Sequence, residues 1–234
     1  MSDTGYTRSP LLVRGALVGL TEDVIGVVPN VIPFQYNPAS LSRTLTPFDP
    51  NTGDQLGRGQ IAPTAQPYDP VETITLKLEL DAADRMADGD PRSVVFGVGE
   101  RVAAVEKLLL PSAGLFGDLV GSVGALRGSQ APPRRRSVPI VLLAWGAGRI
   151  VPVRITNYSV EETAFLPTLV ALRATVSVTL RVLPPDVFKC QSGPAKEMAI
   201  AAYKVFRVQQ DALAVANGVS TAADALLSHL PFRI

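Results

Sequence analysis

Residues 173–182, "RATVSVTLRV", alternate without a break: Ala174, Val176, Val178, Leu180 and Val182 fall on one side, Arg173, Thr175, Ser177, Thr179 and Arg181 on the other. Successive side chains of an extended chain point to opposite faces, so this period of two predicts a strand buried on one face and wet on the other. The wet face carries only hydroxyl and guanidinium groups.

The same period recurs in "ETITLKLEL", residues 72–80, with Ile74, Leu76, Leu78 and Leu80 opposed to Thr73, Thr75, Lys77 and Glu79. "VPIVLLAW" (138–145) and "IVPVRITNYSV" (150–160) flank the turn signal Gly146-Ala147-Gly148 and read as a hairpin. In its second arm Val151, Val153 and Ile155 share a face against Arg154, Thr156 and Tyr158. "LLVRGALVGL" (11–20) and "VIPFQYN" (31–37) are further strands. Phe34 and Tyr36 fall on one face of the latter, and Asn37-Pro38 ends it with a turn, because Pro38 removes a backbone donor. Ser40, Ser42, Arg43 and Thr44 then lead into an extended arm or second strand.

Helical periodicity is confined to two places. "GERVAAVEKLLL" places Val102, Val105 and Leu109 on one stripe before Pro111. From Pro194 a helix is expected to run to a terminator at Gly218, its apolar stripe passing through Met198, Ala202, Val205, Phe206, Val208 and Leu213, with one or two further turns in "AADALLSHL". Residues 48–70 and 111–137 are crowded with Pro and Gly and read as long loops. The expected organisation is a β domain over 1–188 and a helical extension over 189–234. The fold class is mainly β with flanking helices (α+β).

Composition narrows function. The chain has 234 residues, 47% of them hydrophobic, enough for one large domain. Lys and Arg number 22 against 21 acids, a net charge of +1, so no bulk field favours nucleic acid or an anionic membrane. No apolar run approaches the roughly 18 residues that span a bilayer, and "MSDTGYTRSP" has no secretory pattern. The single cysteine, Cys190, rules out an internal disulfide and reads as a small apolar filler in a reducing compartment.

Catalytic groups are hard to assemble. His229, the one histidine, lies in the terminal tail and reads as solvated rather than as a general base. Asp81, Asp84, Asp88 and Asp90 lack the glycine and terminal glutamate of a calcium loop and read as a solvated strand end. The Gly-x-Gly of "VFGVGERV" lacks the third glycine and the lysine of phosphate-binding loops. No enzyme and no cofactor is expected. Arg134, Arg135 and Arg136 form a basic run suited to a partner protein, and Trp145 is a core or interface anchor.

Taken in order, "IPFQYNPASLSRT" (32–44), "ITLKLELD" (74–81), "PP" (132–133), "VPIVLLAWG" (138–146) and "ITNYSVEETAFLPTLVALRATVSVTLRV" (155–182) resemble the tube-type domain of contractile injection systems, in particular the LysM-type adaptors that join spike to inner tube. The likeness rests on Phe34, Tyr36, Asn37, Pro38, Ser40, Ser42 and Arg43, on Trp145-Gly146, and on Tyr158, Phe165, Pro167, Arg173 and Ala174, over residues 10–188. This sequence differs in ending with a helical segment where such adaptors carry a LysM domain, and in having Ala131 where an arginine commonly precedes the double proline.

The resemblance implies a β-sandwich or barrel subunit that assembles as a homo-hexameric ring in a baseplate hub, contacting inner tube protein, a trimeric spike and other baseplate components. It implies assembly in the bacterial cytoplasm within a phage-tail-like particle, no nucleic acid partner and no membrane insertion. Phe34, Tyr36, Asn37, Pro38, Ser42, Arg43, Arg134, Arg135, Arg136 and Trp145 are then the subunit-interface candidates. Thr73, Thr75, Lys77, Arg173, Thr175, Ser177, Thr179 and Arg181 are the lumen-facing candidates. A tube or tube-initiator protein of a contractile phage tail is the alternative within this class. A carbohydrate- or peptidoglycan-binding β-sandwich is the alternative from another class, disfavoured by one Trp and five Tyr.

Overall fold

A computed structural model describes residues 13–23, 26–49, 62, 64–87, 89–111, 138–146, 148–189 and 192–228. Arg134, Arg135, Arg136, Cys190, His229 and Asp88 lie outside the described residues, as do most of the two long loops. Seven strands run β1 (Ala16–Asp23), β2 (Gly26–Pro33), β3 (Leu41–Thr46), β4 (Val71–Asp81), β5 (Ile140–Ala144), β6 (Ile150–Phe165) and β7 (Ala171–Val182). Among the described residues, three short helices stand between β4 and β5: α1 (Ala83–Ala87), α2 (Pro91–Phe96) and α3 (Gly99–Lys107). A 3-10 turn at Pro185–Phe188 leads to the long helix α4 (Pro194–Ser228).

All seven described strands belong to one sheet, in the order β2-β1-β5-β6-β7-β4-β3, and every neighbouring pair is antiparallel. The protein is therefore mainly β within the α+β class. Where the resemblance implies a β-sandwich or barrel, the described strands form one seven-stranded sheet with β2 and β3 at the ends of its order. Pro29 and Pro33 sit in β2, an edge strand, where a missing backbone donor is tolerated. Pro152 lies in an interior strand, but its carbonyl accepts from Leu183 N at 2.9 Å, one residue past the end of β7, where no ladder bond asks for its absent N–H.

Alternation places the core. Ile74, Leu76, Leu78 and Leu80 of β4 and Ala174, Val176, Val178, Leu180 and Val182 of β7 are all buried, as their spacing predicts. They join Leu17, Val141, Leu143, Val151 and Val153 in one cluster, covered by Val98, Val102, Val105 and Leu108 of and around α3. Gly19 lets this cover approach closely, since a Cβ there would stand 2.5 Å from Leu108 Cδ2. A smaller cluster of Leu20, Leu142, Phe188, Ala195 and Ala199 seats the start of α4. The helix thus begins as part of the β domain's own packing.

Four sequence expectations are corrected. β2 ends at Pro33, so Phe34 and Tyr36 do not share a strand face: Phe34 is 2% exposed and Tyr36 41%. In β6 the pairing shifts between Ile155 and Asn157, which inserts Thr156 as a bulge and turns Tyr158 and Val160 toward the core; alternation alone puts Tyr158 on the polar side. Helix α4 passes through Gly218 to Ser228. Its seated face is Ala195, Ala199, Tyr203 and Phe206, while Met198, Val205, Val208 and Leu213 of the expected stripe are exposed. Small alanines pack closest and the two aromatics bury the most area, so the valines are left outside.

Candidate functional site

The polar positions of four strands form one continuous surface. The registers align Thr163–Arg173–Asp81, Glu161–Thr175–Glu79, Ser159–Ser177–Lys77, Asn157–Thr179–Thr75–Ser42 and Arg154–Arg181–Thr73–Thr44. All eight lumen-facing candidates lie on this face: Thr75, Lys77, Arg173 and Arg181 are exposed, and Thr73, Thr175, Ser177 and Thr179 are half-buried. Asn157, Ser159, Glu161 and Thr163 of β6 and Thr44 of β3, which the sequence reading did not include, extend it across both neighbours. The bulge at Thr156 hides β6's membership, because the odd residues reach this face only beyond it. Chemically the face is mostly hydroxyl, with a cationic row at Arg154 and Arg181 and an acidic row at Glu161 and Glu79.

Of the described interface candidates, Ser42 lies on the polar face and the others gather around the seven-residue link from Phe34 to Ser40, with Arg43 in β3 and Trp145 after β5. Asn37 clamps the chain ahead of β1: its Oδ1 accepts from Gly15 N at 2.8 Å and its Nδ2 donates to Val13 O at 3.0 Å. Phe34 N donates to Gly15 O at 2.8 Å, and the Phe34 ring tilts against Trp145 at 6.3 Å between centroids. Phe34 therefore belongs to the protein's own core rather than to a neighbour, and Trp145 is half-buried against that core. Gln35 imitates a strand residue, donating from Nε2 to Asp81 O and accepting from Asp81 N, while Arg101 also donates to its Oε1. Tyr36 donates to Asp84, and that bond raises the phenol's pKa above its ordinary value. Pro38 is half-buried and Ser42 exposed.

Arg43 is also spent internally. It pairs with Glu72, whose side chain is buried, and its guanidinium stands 5.8 Å from the centre of the Phe206 ring. With Trp145, Arg149, Gln209 and Gln210 it lines an open cleft of about 470 Å³ between α4 and the β5–β6 turn. On the neighbouring side of α4, Tyr203 donates to Asp69 at 2.7 Å and Arg207 pairs with the same carboxylate at 3.1 Å. The tyrosine's hydrogen bond, aided by Arg207, holds Asp69 below the usual carboxylate range, and burial pushes Tyr203 up.

The end of the sheet carries exposed apolar groups that were not among the interface candidates. Phe165 and Leu169 project from the β6–β7 turn at 52% and 82% exposure, beside Val94, Val95 and Phe96 of α2. The two groups are neighbours because Val98 N, just past α2, donates to Ala171 O at 3.0 Å. The available signal was an apolar run inside a turn, in "AFLPTL".

Among the described residues no group of three or more His, Cys, Asp or Glu could hold a metal ion, and no helix is long and apolar enough to cross a membrane. No protein-family model matches the chain, and no curated protein matches it.

Proposed function

We propose that this chain is a structural subunit of a contractile injection system baseplate hub, six copies forming an adaptor ring between spike and inner tube and helping to nucleate the tube. The observation that carries the reading is the unbroken polar face of β3, β4, β7 and β6. A sheet packed on one side and wet on the other is ordinary for antiparallel strands. A wet face four strands wide, rich in hydroxyls and balanced in charge, also suits the wall of a water-filled channel, which must neither bind cargo tightly nor dehydrate. The order of segments resembling tube-type domains supports the same reading. In the ring, Thr73, Thr75, Lys77, Arg173, Thr175, Ser177, Thr179 and Arg181 face the lumen. Phe165, Leu169 and the α2 valines supply apolar contact to a neighbouring subunit, inner tube protein or spike. Assembly in the cytoplasm of a bacterium and incorporation into a phage-tail-like particle follow from this reading.

Mass photometry and negative-stain imaging test it. A species of six chains with ring-shaped views, or labelled subunits located in a tailed particle, is the expected result. A chain that never exceeds two copies and never enters such a particle overturns the proposal.

A further inference from the structure

Helix α4 has two working faces, and only one is occupied. Ala195, Ala199, Tyr203 and Phe206 are buried against the sheet. On the opposite side Met198, Ala201, Val205, Val208, Ala212 and Val215 recur at alternating steps of three and four, the spacing of a coiled-coil seam. Met198 is 48% exposed and Val205, Val208 and Val215 are 66–67% exposed. From Asp211 to Gly218 every residue is exposed, so this stretch of the helix is not packed into the core. An isolated helical stretch of this length is marginal in water.

The charges beside the seam identify what covers it. Lys204 and Asp211 flank the same edge, each one residue before a seam position, and both are exposed. Neither takes part in an ion pair among the described residues. Positions of this kind set partner and orientation in helix pairs. A second copy laid antiparallel, with Val205 opposite Val208, also sets Met198 opposite Val215 and Ala201 opposite Ala212. The same register brings Lys204 against Asp211 of the second copy, and by symmetry does so twice. In a parallel pair Lys204 would face Gln209 and Asp211 would face Ala216, leaving both charges without a counterpart.

We infer that α4 is a self-association element: two copies of this chain pair antiparallel through the Met198–Val215 seam, locked by two Lys204–Asp211 ion pairs. The pair does not rest on the ring reading, because it uses a surface separate from the polar sheet face.

The test uses the full chain in a Cys190→Ser background. Light scattering at about 0.1 mM, a concentration suited to a micromolar contact, gives twice the mass of a seam-blocked variant, whether that variant is a single chain or a ring. The seam-blocked variant, Val205→Glu with Val208→Glu, keeps an unchanged far-UV circular dichroism spectrum, since both sites are solvent-facing. K204D or D211K alone weakens pairing about tenfold by turning two attractions into two repulsions, and the double swap restores it. Mixing Met198→Cys with Val215→Cys chains yields a mixed disulfide on mild oxidation. Met198→Cys alone yields none, because its two copies stand roughly 25 Å apart along the axis. Equal mass of wild type and seam-blocked variant at that concentration, no recovery in the double swap, or self-cross-linking of Met198→Cys each overturns the inference.

Discussion

Arg43 and Glu72 meet across the β3–β4 pair, Nη2 3.1 Å from Oε2 and Nε 2.5 Å from Oε1, with the Glu72 side chain 7% exposed. Removing one partner of a buried ion pair strands the other without a counter-charge. Arg43→Ala is therefore expected to lower folding stability by about 2–3 kcal/mol, below the full cost of a buried pair because Arg43 retains some solvent contact. The double change Arg43→Met with Glu72→Leu should recover most of that loss. Urea unfolding of the three variants checks it, and equal stability of Arg43→Ala and wild type would contradict the pair's role. Arg43 is an interface candidate from the sequence, and the pair with Glu72 gives it a role within the chain that the sequence reading did not include.

Asn37 gives the second prediction. Both ends of its amide are used, on Gly15 N and Val13 O, so the side chain ties the segment before β1 to the link after β2. Asn37→Ala should cost about 1–2 kcal/mol, the scale of losing hydrogen bonds to partly buried backbone groups. Asn37→Asp removes only the bond to Val13 O and should cost less. The Gly15 amide reports this directly: its hydrogen exchange should quicken most in Asn37→Ala.

These two residues show where sequence reading stops. β4 over residues 73–80 and β7 over residues 173–182 were legible because one face is entirely apolar and the other entirely polar, and the buried sets match position by position. The eight polar-face candidates followed from the same alternation. Arg43–Glu72 was not legible, because the partners are 29 residues apart and meet only once the β3–β4 register is set. Tyr158 was misplaced by one inserted residue, since a bulge reverses every later side chain. In α4 the small residues Ala195 and Ala199 form the seat, and a search for the largest apolar stripe passes over them.

Gly97 sits at φ +56°, between α2 and α3, and a Cβ there would lie 2.1 Å from Ala171 O. Only glycine relieves both the backbone conformation and the close approach that lets Val98 N reach Ala171 O. Gly97→Ala should destabilise the protein by more than about 2 kcal/mol. It should also loosen the apolar end formed by α2 and the β6–β7 turn, read as faster proteolysis near Phe165. Gly89→Ala is the control: its φ is also positive, but a Cβ there meets nothing within 4 Å, so only the smaller conformational cost remains.

Tyr158 carries the last prediction, on pH. Its hydroxyl is buried and has no hydrogen-bond partner among the described residues. Burial first, then the carboxylates of Glu106 and Glu162, push its pKa up to about 12 from an ordinary value of 10.0. The folded state thus favours the neutral phenol. Its contribution to stability is fully present below about pH 10 and is lost as pH rises through about 12. Tyr158→Phe should leave stability at pH 7 unchanged or raise it by up to about 1 kcal/mol, because it removes a desolvated hydroxyl without opening a large cavity. It should also flatten the fall in stability between pH 10 and 12 and delete one late-ionising phenol from the ultraviolet titration. A Tyr158→Phe variant less stable at pH 7 by 1 kcal/mol or more would show that the hydroxyl has a bonding partner in solution.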